Sequence, residues 1–410
     1  MKSKAAVLGG GTCGQMFAAD LSLAGWEAHL YELPEFTREL EDVIASRKIE
    51  IVGNQLNSKG LTPSDIASTE AVTTEVLEQV LQKAFKRGGI ANVDVVTTNI
   101  EEALEGVDLI SVCVPAVGHK AFFEKMIPYL RDGHIVSIFP DNFGSLVLRR
   151  MLRERNVNAK IIVGGWDTMP GVFRLVKPGK VNCNTRAVDL RGDTLPSDDW
   201  EGFLKVMKDF PLFDPAEITH GDTVIDIGLS NPNPVVHCVG TLLSIGAMEN
   251  APPESFDLYR DGLSPSIANA MVAFYHEECR IAEALGVGIA PHADEDFRSR
   301  TNIMVEHYVG KQFRIGFDEN WPVDNPTGPF DIQSRYLTED VPVGTCGRYS
   351  LARYFGVDVP IMESIIKLTS VVCGRDFMKE CRSMEEMGLS GMSRDDILGY
   401  LRGSDVLPAC

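Results

Sequence analysis

The chain predicts an α/β N-terminal half built on a doubly wound parallel sheet, followed by an all-α C-terminal half. Three observations carry that reading. Gly9, Gly11 and Gly14 stand in G-x-G-x-x-G spacing between a short apolar run and an apolar, helix-like stretch. Strand-like and helix-like runs then alternate through the N-terminal half, as a parallel sheet with crossover helices requires. From about Ile218 the pattern changes to helices alone. A chain of 410 residues exceeds one core. The expected division is 1–215, a Rossmann dinucleotide-binding domain, and 216–410, a helical substrate and catalytic domain.

The expected strands are Lys4–Gly9, Glu27–Glu32, Val93–Thr97, Asp108–Val114, Ile135–Phe139 and Lys160–Gly164, with helices at His119–Leu130 and Leu146–Arg155. In the glycine turn the first glycine permits the tight bend, the second lets backbone approach a pyrophosphate, and the third lets helix pack on strand. The helix N-terminus then offers unpaired N–H groups to phosphate. Glu32 falls 18 residues after Gly14, where a carboxylate accepts from the adenine ribose hydroxyls. It repels a 2′-phosphate, and Arg38 is the first cation after it, so NAD is favoured over NADP. Val112–His119 reads as the fourth strand and its following loop, at the sheet edge where a nicotinamide lies. Leu56–Lys86 reads as helical decoration. In the second half, Ser264-Pro265 caps a helix whose apolar face is Ile267, Met271, Phe274, Ile281 and Leu285, and Gly286 stops it. A second stripe, Ile361, Ile365, Leu368 and Val372, reads as core.

Composition narrows the function. An apolar share of 44% and a charged share of 24% are ordinary for a globular protein. A net charge of −19 argues against nucleic acid or an anionic membrane as partner. The nine cysteines are scattered without C-x-x-C or Cys/His ligand spacing. They read as reduced thiols in a cytoplasmic protein, and no metal is expected. The start runs straight into the first strand, without a signal-peptide pattern. The longest uncharged run, between Asp226 and Glu249, contains Asn231, Pro232, Asn233, Pro234 and His237, which argues against a membrane span.

Two segments of the helical half are chemically unusual. In Leu229–His237, two prolines and two asparagines interrupt the backbone before an apolar helix, and His237 sits near its start. Such a histidine exchanges protons near neutral pH, although a lone histidine on an apolar face is usually a satisfied core residue. The second segment, Arg335–Gly344, packs Arg, Tyr, Thr, Glu and Asp into six residues before a Pro/Gly break. A carboxylate from it could fix the His237 tautomer and stabilise its protonated form. The alternative for Glu339 and Asp340 is a helix cap or a solvated loop. For Arg335 the alternatives are a substrate carboxylate and a structural salt bridge.

In combination, these blocks resemble the octopine/nopaline (opine) dehydrogenase family: Gly9–Gly14, Val114-Pro115-Ala116 through His119, Asn233–His237 and Arg335–Pro342, together with the helix opened by Gly262–Ser266. The resemblance implies a Rossmann domain followed by a helical domain, with reaction in the cleft between them. It implies NAD(P)H-dependent reductive condensation of a 2-oxo acid with the amino group of an amino acid, giving a secondary amine with two carboxylates. The family's catalytic histidine maps onto His237 and its partner aspartate onto Asp340. The expected substrate contacts are Arg335, His119 and Asn233. The expected cofactor contacts are Gly9, Gly11, Thr12, Cys13, Gly14, Glu32, Pro115 and Ala116. Two departures stand out: the Gly-rich turn after the fifth strand reads Pro140-Asp141-Asn142-Phe143-Gly144, and Cys238 replaces a proline frequent in relatives.

A 2-hydroxyacid, 3-hydroxyacid or ketopantoate-type reductase would share the N-terminal half, but the second half shows no Asn/Lys helix motif. A non-catalytic NAD sensor would bind NADH without oxidising it. The expected partners are two small molecules, with a homodimer allowed and neither nucleic acid nor membrane involved.

Overall fold

The computed structural model describes residues 3–58, 85–310, 316–317 and 327–404. Most of the Leu56–Lys86 stretch expected to be helical lies outside these residues.

The main sheet has eight strands. Six are parallel: β1 (Lys4–Leu8), β2 (Glu27–Tyr31), β5 (Val95–Thr97), β6 (Leu109–Val112), β7 (Ile135–Ile138) and β8 (Ile162–Trp166). Their order, β5-β2-β1-β6-β7-β8, is the 3-2-1-4-5-6 order of the dinucleotide-binding fold. The near-continuous apolar sequence of these strands reflects burial on both faces. Val7 and Phe139 face one core with Phe17 and Trp166, whereas Ala6, Leu8, Val136 and Ile138 face another with Phe123 and Val147.

Two features extend this frame beyond the sequence reading. β11 (Asp189–Thr194) pairs antiparallel to β8, and β12 (Glu217–His220) pairs parallel to β11, so the sheet runs just past the expected boundary at 215. A separate four-stranded sheet, ordered β4-β3-β10-β9, joins Gly89–Asn92, Lys48–Val52, Lys180–Arg186 and Gly171–Lys177. It is fastened to the first helix, Thr12–Leu23, by a buried ion pair from Arg186 Nη2 to Asp20 Oδ1 at 2.6 Å.

The helical half follows its caps. Ser264 Oγ accepts from the Ile267 N–H, the helix runs Pro265–Leu285, and Gly286 ends it at φ +76°. The helix Pro360–Cys373 corrects the sequence reading. Its buried face is Met362, Ile365, Ile366, Thr369 and Cys373, while Leu368 and Val372 are 54% and 40% exposed. Most of the buried face lies one residue later than expected, about 100° around the axis.

Candidate active site

The dinucleotide turn is dictated by backbone. Gly9 has φ +104°, a region that favours glycine, and a Cβ on Gly14 would lie 1.6 Å from the Gly9 carbonyl oxygen. Nothing lies within 4 Å of where a Gly11 Cβ would stand, so that backbone opens onto free space. The space is a cavity of about 450 Å³ lined by Gly9, Gly11, Thr12, Cys13, Glu32 and Pro115 on one side and Asn233, Arg335, Glu339 and Asp340 on the other. Gly14 and Ala116 lie beneath this wall rather than in it. Phe36 and Val117, on its rim, are 61% and 56% exposed. Glu32 is buried, and its carboxylate accepts from the N–H groups of Gly10 (2.8 Å) and Leu33 (2.7 Å). Burial raises the Cys13 pKa, which keeps a neutral thiol beside the turn. The exposed Gly11 backbone, the helix N-terminus behind it, the Glu32 carboxylate and the open apolar rim together fit a dinucleotide.

At the far wall three π-helical turns meet: Pro234–Cys238, Leu258–Gly262 and Asp340–Thr345. Such turns are uncommon and concentrate at functional sites. Pro342 lacks the N–H that an ordinary α-turn would use, which gives the sequence a local cause for one of them. Each turn presents one side chain. His237 Nδ1 stands 2.9 Å from Asp340 Oδ2, and His237 Nε2 stands 3.1 Å from the Tyr259 hydroxyl. The ring lies flat on Tyr336, with centroids 3.7 Å apart and planes 6° apart. A carboxylate only accepts, so Nδ1 carries the hydrogen and Nε2 is left to exchange a proton.

The segment before His237 is held from behind. Arg348, fully buried, pairs with Glu278 and donates to the carbonyls of Gly228, Leu229, Asn231 and Gly344. Asn231 Nδ2 donates to Asn142 Oδ1 at 2.7 Å, which joins this segment to the turn after β7. Cys238 lies in a fully buried position where the Thr345 hydroxyl donates to its sulfur at 3.4 Å.

Arg335 lines the cavity with its side chain exposed to it. Burial works against its charge, but Glu339, Asp340 and their neighbours outweigh that and hold the guanidinium firmly charged. Burial pushes the Glu339 carboxyl up, against the pull of Arg335. Glu339 Oε1 also accepts from the Ala116 N–H at 2.7 Å, so this cofactor-loop donor is engaged by the helical half. Asn233 lines the cavity.

His119 departs from the expectation of a substrate contact. It is fully buried, packs on Phe123 with ring centroids 5.4 Å apart, and presses so closely on Gly144 that a Cβ there would lie 2.5 Å from its Nδ1. Burial and the nearby Arg382 charge drive its pKa well below 6.5, so the ring is neutral. The site also contains residues the sequence reading did not single out. Tyr259 has only its closeness to the Gly262–Ser266 block as a signal, and Arg382, which donates to the carbonyls of Asn142 and Ala116, has none. Away from the cleft, His292, Asp296 and Glu306 bring one donor atom each within 4.8 Å of one another.

A dinucleotide cleft that ends on Arg335 and a buried histidine–aspartate pair defines an NAD(P)-dependent oxidoreductase. The family described as NAD/NADP octopine/nopaline dehydrogenase, alpha-helical domain, matches residues 220–373. Opine dehydrogenase of Arthrobacter sp. (strain 1C) is 26% identical over 311 residues, covering 74% of this chain and 82% of the relative. Octopine dehydrogenase of Pecten maximus is 22% identical over 69% of this chain and 74% of its own length. Among solved structures, octopine dehydrogenase with NADH and pyruvate superposes with a TM-score of 0.67 at 19% identity, over 97% of this chain and 98% of the other. A ketopantoate reductase from Ralstonia eutropha JMP134 reaches 0.57 at 14% identity, over 92% and 99%. Residues 220–373 thus match that family's helical domain, and opine and octopine dehydrogenases match about 70% of the chain at 22–26% identity.

Proposed function

We propose that the protein is an opine dehydrogenase, which reversibly condenses a 2-oxo acid with the amino group of an amino acid and reduces the resulting imine with NAD(P)H. The observation that carries this reading is the His237–Asp340 pair at the wall of the cleft that holds Arg335 and faces the glycine turn. When bound, the nicotinamide supplies the hydride.

The chain's own residues do the rest. Arg335 is a cation in the cleft, suited to a substrate carboxylate in bidentate geometry. Condensation requires a proton to leave the incoming amine and another to reach the departing carbonyl oxygen. His237 serves both transfers, and the Asp340 carboxylate stabilises the imidazolium between them. Hydride transfer needs the reacting carbon and the hydride donor within about 3–3.5 Å, a demand that walls from two halves of the chain would meet. Glu32 favours NADH because its carboxylate stands where a 2′-phosphate would need a cation. The relatives support the chemistry: one solved octopine dehydrogenase holds NADH with pyruvate and another NADH with L-arginine. No lysine lines the cavity among the described residues, which weighs against a ketopantoate-type reductase.

The test is NADH oxidation measured over a grid of 2-oxo acids against amino acids. Turnover that needs both partners supports the proposal. Turnover with the oxo acid alone would instead mark a hydroxyacid dehydrogenase, and tight NADH binding without turnover would mark a sensor. No helix among the described residues is long and apolar enough to cross a membrane.

A further inference from the structure

His237 has two ring nitrogens, and the fold engages both. Nδ1 faces Asp340 at 2.9 Å and Nε2 faces the Tyr259 hydroxyl at 3.1 Å. Tyr336 covers a face of the ring. The imidazole itself is only 4% exposed. A proton moving between His237 and a substrate therefore meets Tyr259 first. We propose that Tyr259 is the proton relay of this site: its hydroxyl passes protons between His237 Nε2 and the reacting amine and oxygen. The inference rests on the reductive-condensation reading.

Tyr259 is built for such a task. It stands in the π-helical turn Leu258–Gly262, whose first residues are pinned by Asp257. The Asp257 Oδ1 accepts from the N–H groups of Tyr259 (2.8 Å) and Arg260 (3.2 Å). Its phenol is buried, and burial pushes its pKa well above 10, so it stays a phenol and cannot rest as phenolate. The groups facing it are His237, Tyr336, Tyr308 from the helix Ile303–Val309, and Arg174 from β9. Arg174 is the single cation of that set. The Tyr336 phenol also lies against the Tyr259 hydroxyl and helps hold its proton in place.

A hydroxyl has one hydrogen and can accept as well as donate. With neutral imidazole, Tyr259 donates to Nε2. With imidazolium, Nε2–H donates to the Tyr259 oxygen, and the Tyr259 hydrogen is free to turn toward substrate or Tyr336. In the condensing direction the first transfer deprotonates the amine. A nitrogen–hydrogen bond of the substrate ammonium breaks, the Tyr259 oxygen gains that hydrogen, and its own hydrogen moves to Nε2. The second transfer runs in reverse. Nε2 returns its proton to Tyr259, and the Tyr259 hydrogen goes to the carbinolamine hydroxyl, which leaves as water. Tyr259 and His237 end as they began, and no outside acid or base is consumed.

The test uses the full-length protein with Tyr259→Phe, which keeps the ring and removes the hydroxyl. In the parent's best NADH-dependent reaction, kcat should fall at least ~10-fold, toward the range seen when an acid–base group is lost. NADH affinity by fluorescence titration and the melting temperature should stay near the parent's. The solvent deuterium isotope effect on kcat should grow as proton transfer becomes limiting. The 15N resonance of His237 Nε2, assigned by loss of signal in His237→Ala, should move because its hydrogen-bond partner is gone. Tyr336→Phe keeps the stacked ring and should lower kcat only a few-fold. Parental kcat with an unmoved Nε2 resonance in Tyr259→Phe overturns the relay. A parent that oxidises NADH with no pair of substrates overturns the functional reading instead, and the Nε2 resonance still shows whether Tyr259 engages the imidazole.

Discussion

Replacing Asp340 by asparagine isolates the charge of the His237 partner from its hydrogen bond. The two side chains are 4% and 5% exposed and meet at 2.9 Å. At an effective dielectric of about 20, an imidazolium and a carboxylate at that distance attract by roughly 6 kcal/mol. Asparagine is nearly isosteric and still bonds to the ring, so roughly half of that interaction remains. The expected loss in the protonated state is then about 3 kcal/mol, or ~10²-fold in kcat at about 1.4 kcal/mol per decade. The amide can also present its NH2 to Nδ1, which would trap the wrong tautomer and deepen the loss. Initial rates of NADH oxidation with saturating oxo acid and amine measure the effect, and NADH fluorescence titration checks that cofactor affinity stays within about threefold. A kcat within about threefold of the parent would refute the charge argument, because among the described residues no other carboxylate bonds to this ring.

Further consequences follow from other residues. Arg348→Met leaves Glu278 buried without its cation and takes a side-chain donor from four carbonyls, so about 3–5 kcal/mol of stability should be lost, read as a lowered melting temperature; an unchanged melt would show that the segment before His237 is held by other contacts. Asp141 is fully buried, and burial pushes its carboxyl up to about 6 against an ordinary 3.8. Its native pKa lies above its unfolded one, so its contribution to stability is fully present below about pH 4 and is lost as pH rises through 6. Asp141→Asn should therefore melt higher than the parent at pH 7.5 but not at pH 4, and equal melting at both values would contradict the burial argument. Glu32→Ser should narrow the difference in kcat/KM between NADH and NADPH, and a parent that prefers NADPH would show that Glu32 does not meet the ribose.

Much of the fold was readable because its signals are local. The six parallel strands are short apolar runs whose two faces are both buried, and the turn at Gly9–Gly14 is fixed by positive φ and a 1.6 Å approach that only glycine tolerates. The second sheet was not readable. It pairs Lys48–Val52 with Lys180–Arg186 across more than a hundred residues, and strand partners at such separation leave no periodic trace. The stripe on Pro360–Cys373 misled because apolar residues surround more of that helix than its core needs. At the site, the juxtaposition of His237 and Asp340 was foreseen through the family blocks, and Pro342 marks one of the turns that present them. The position of His119 was not foreseeable. Its type suggested chemistry, while the packing of Phe123 and Gly144 that buries it is tertiary. Tyr259 was missed for the opposite reason, since nothing around it in sequence announces that its hydroxyl reaches His237.

The charge distribution ties these parts together. The chain carries a net −19, yet the proposed substrates and cofactor are anions. At physiological salt, exposed charges are screened beyond about 8 Å, so the acidic exterior exerts little force inside the cleft. There Arg335 faces the cavity, and Arg382 stands beside Asp141 and Glu339 in the wall that joins the halves. Buried carboxylates stand near both cations, Glu339 and Asp340 by Arg335, and Asp141 and Glu339 by Arg382. Arg335 therefore adds little net charge to the apo protein, and its exposed side chain is open to a substrate carboxylate. The protein thus holds its attraction for small anions in a geometry that a compact dicarboxylate can satisfy. A polyanion outside the cleft meets only the acidic surface.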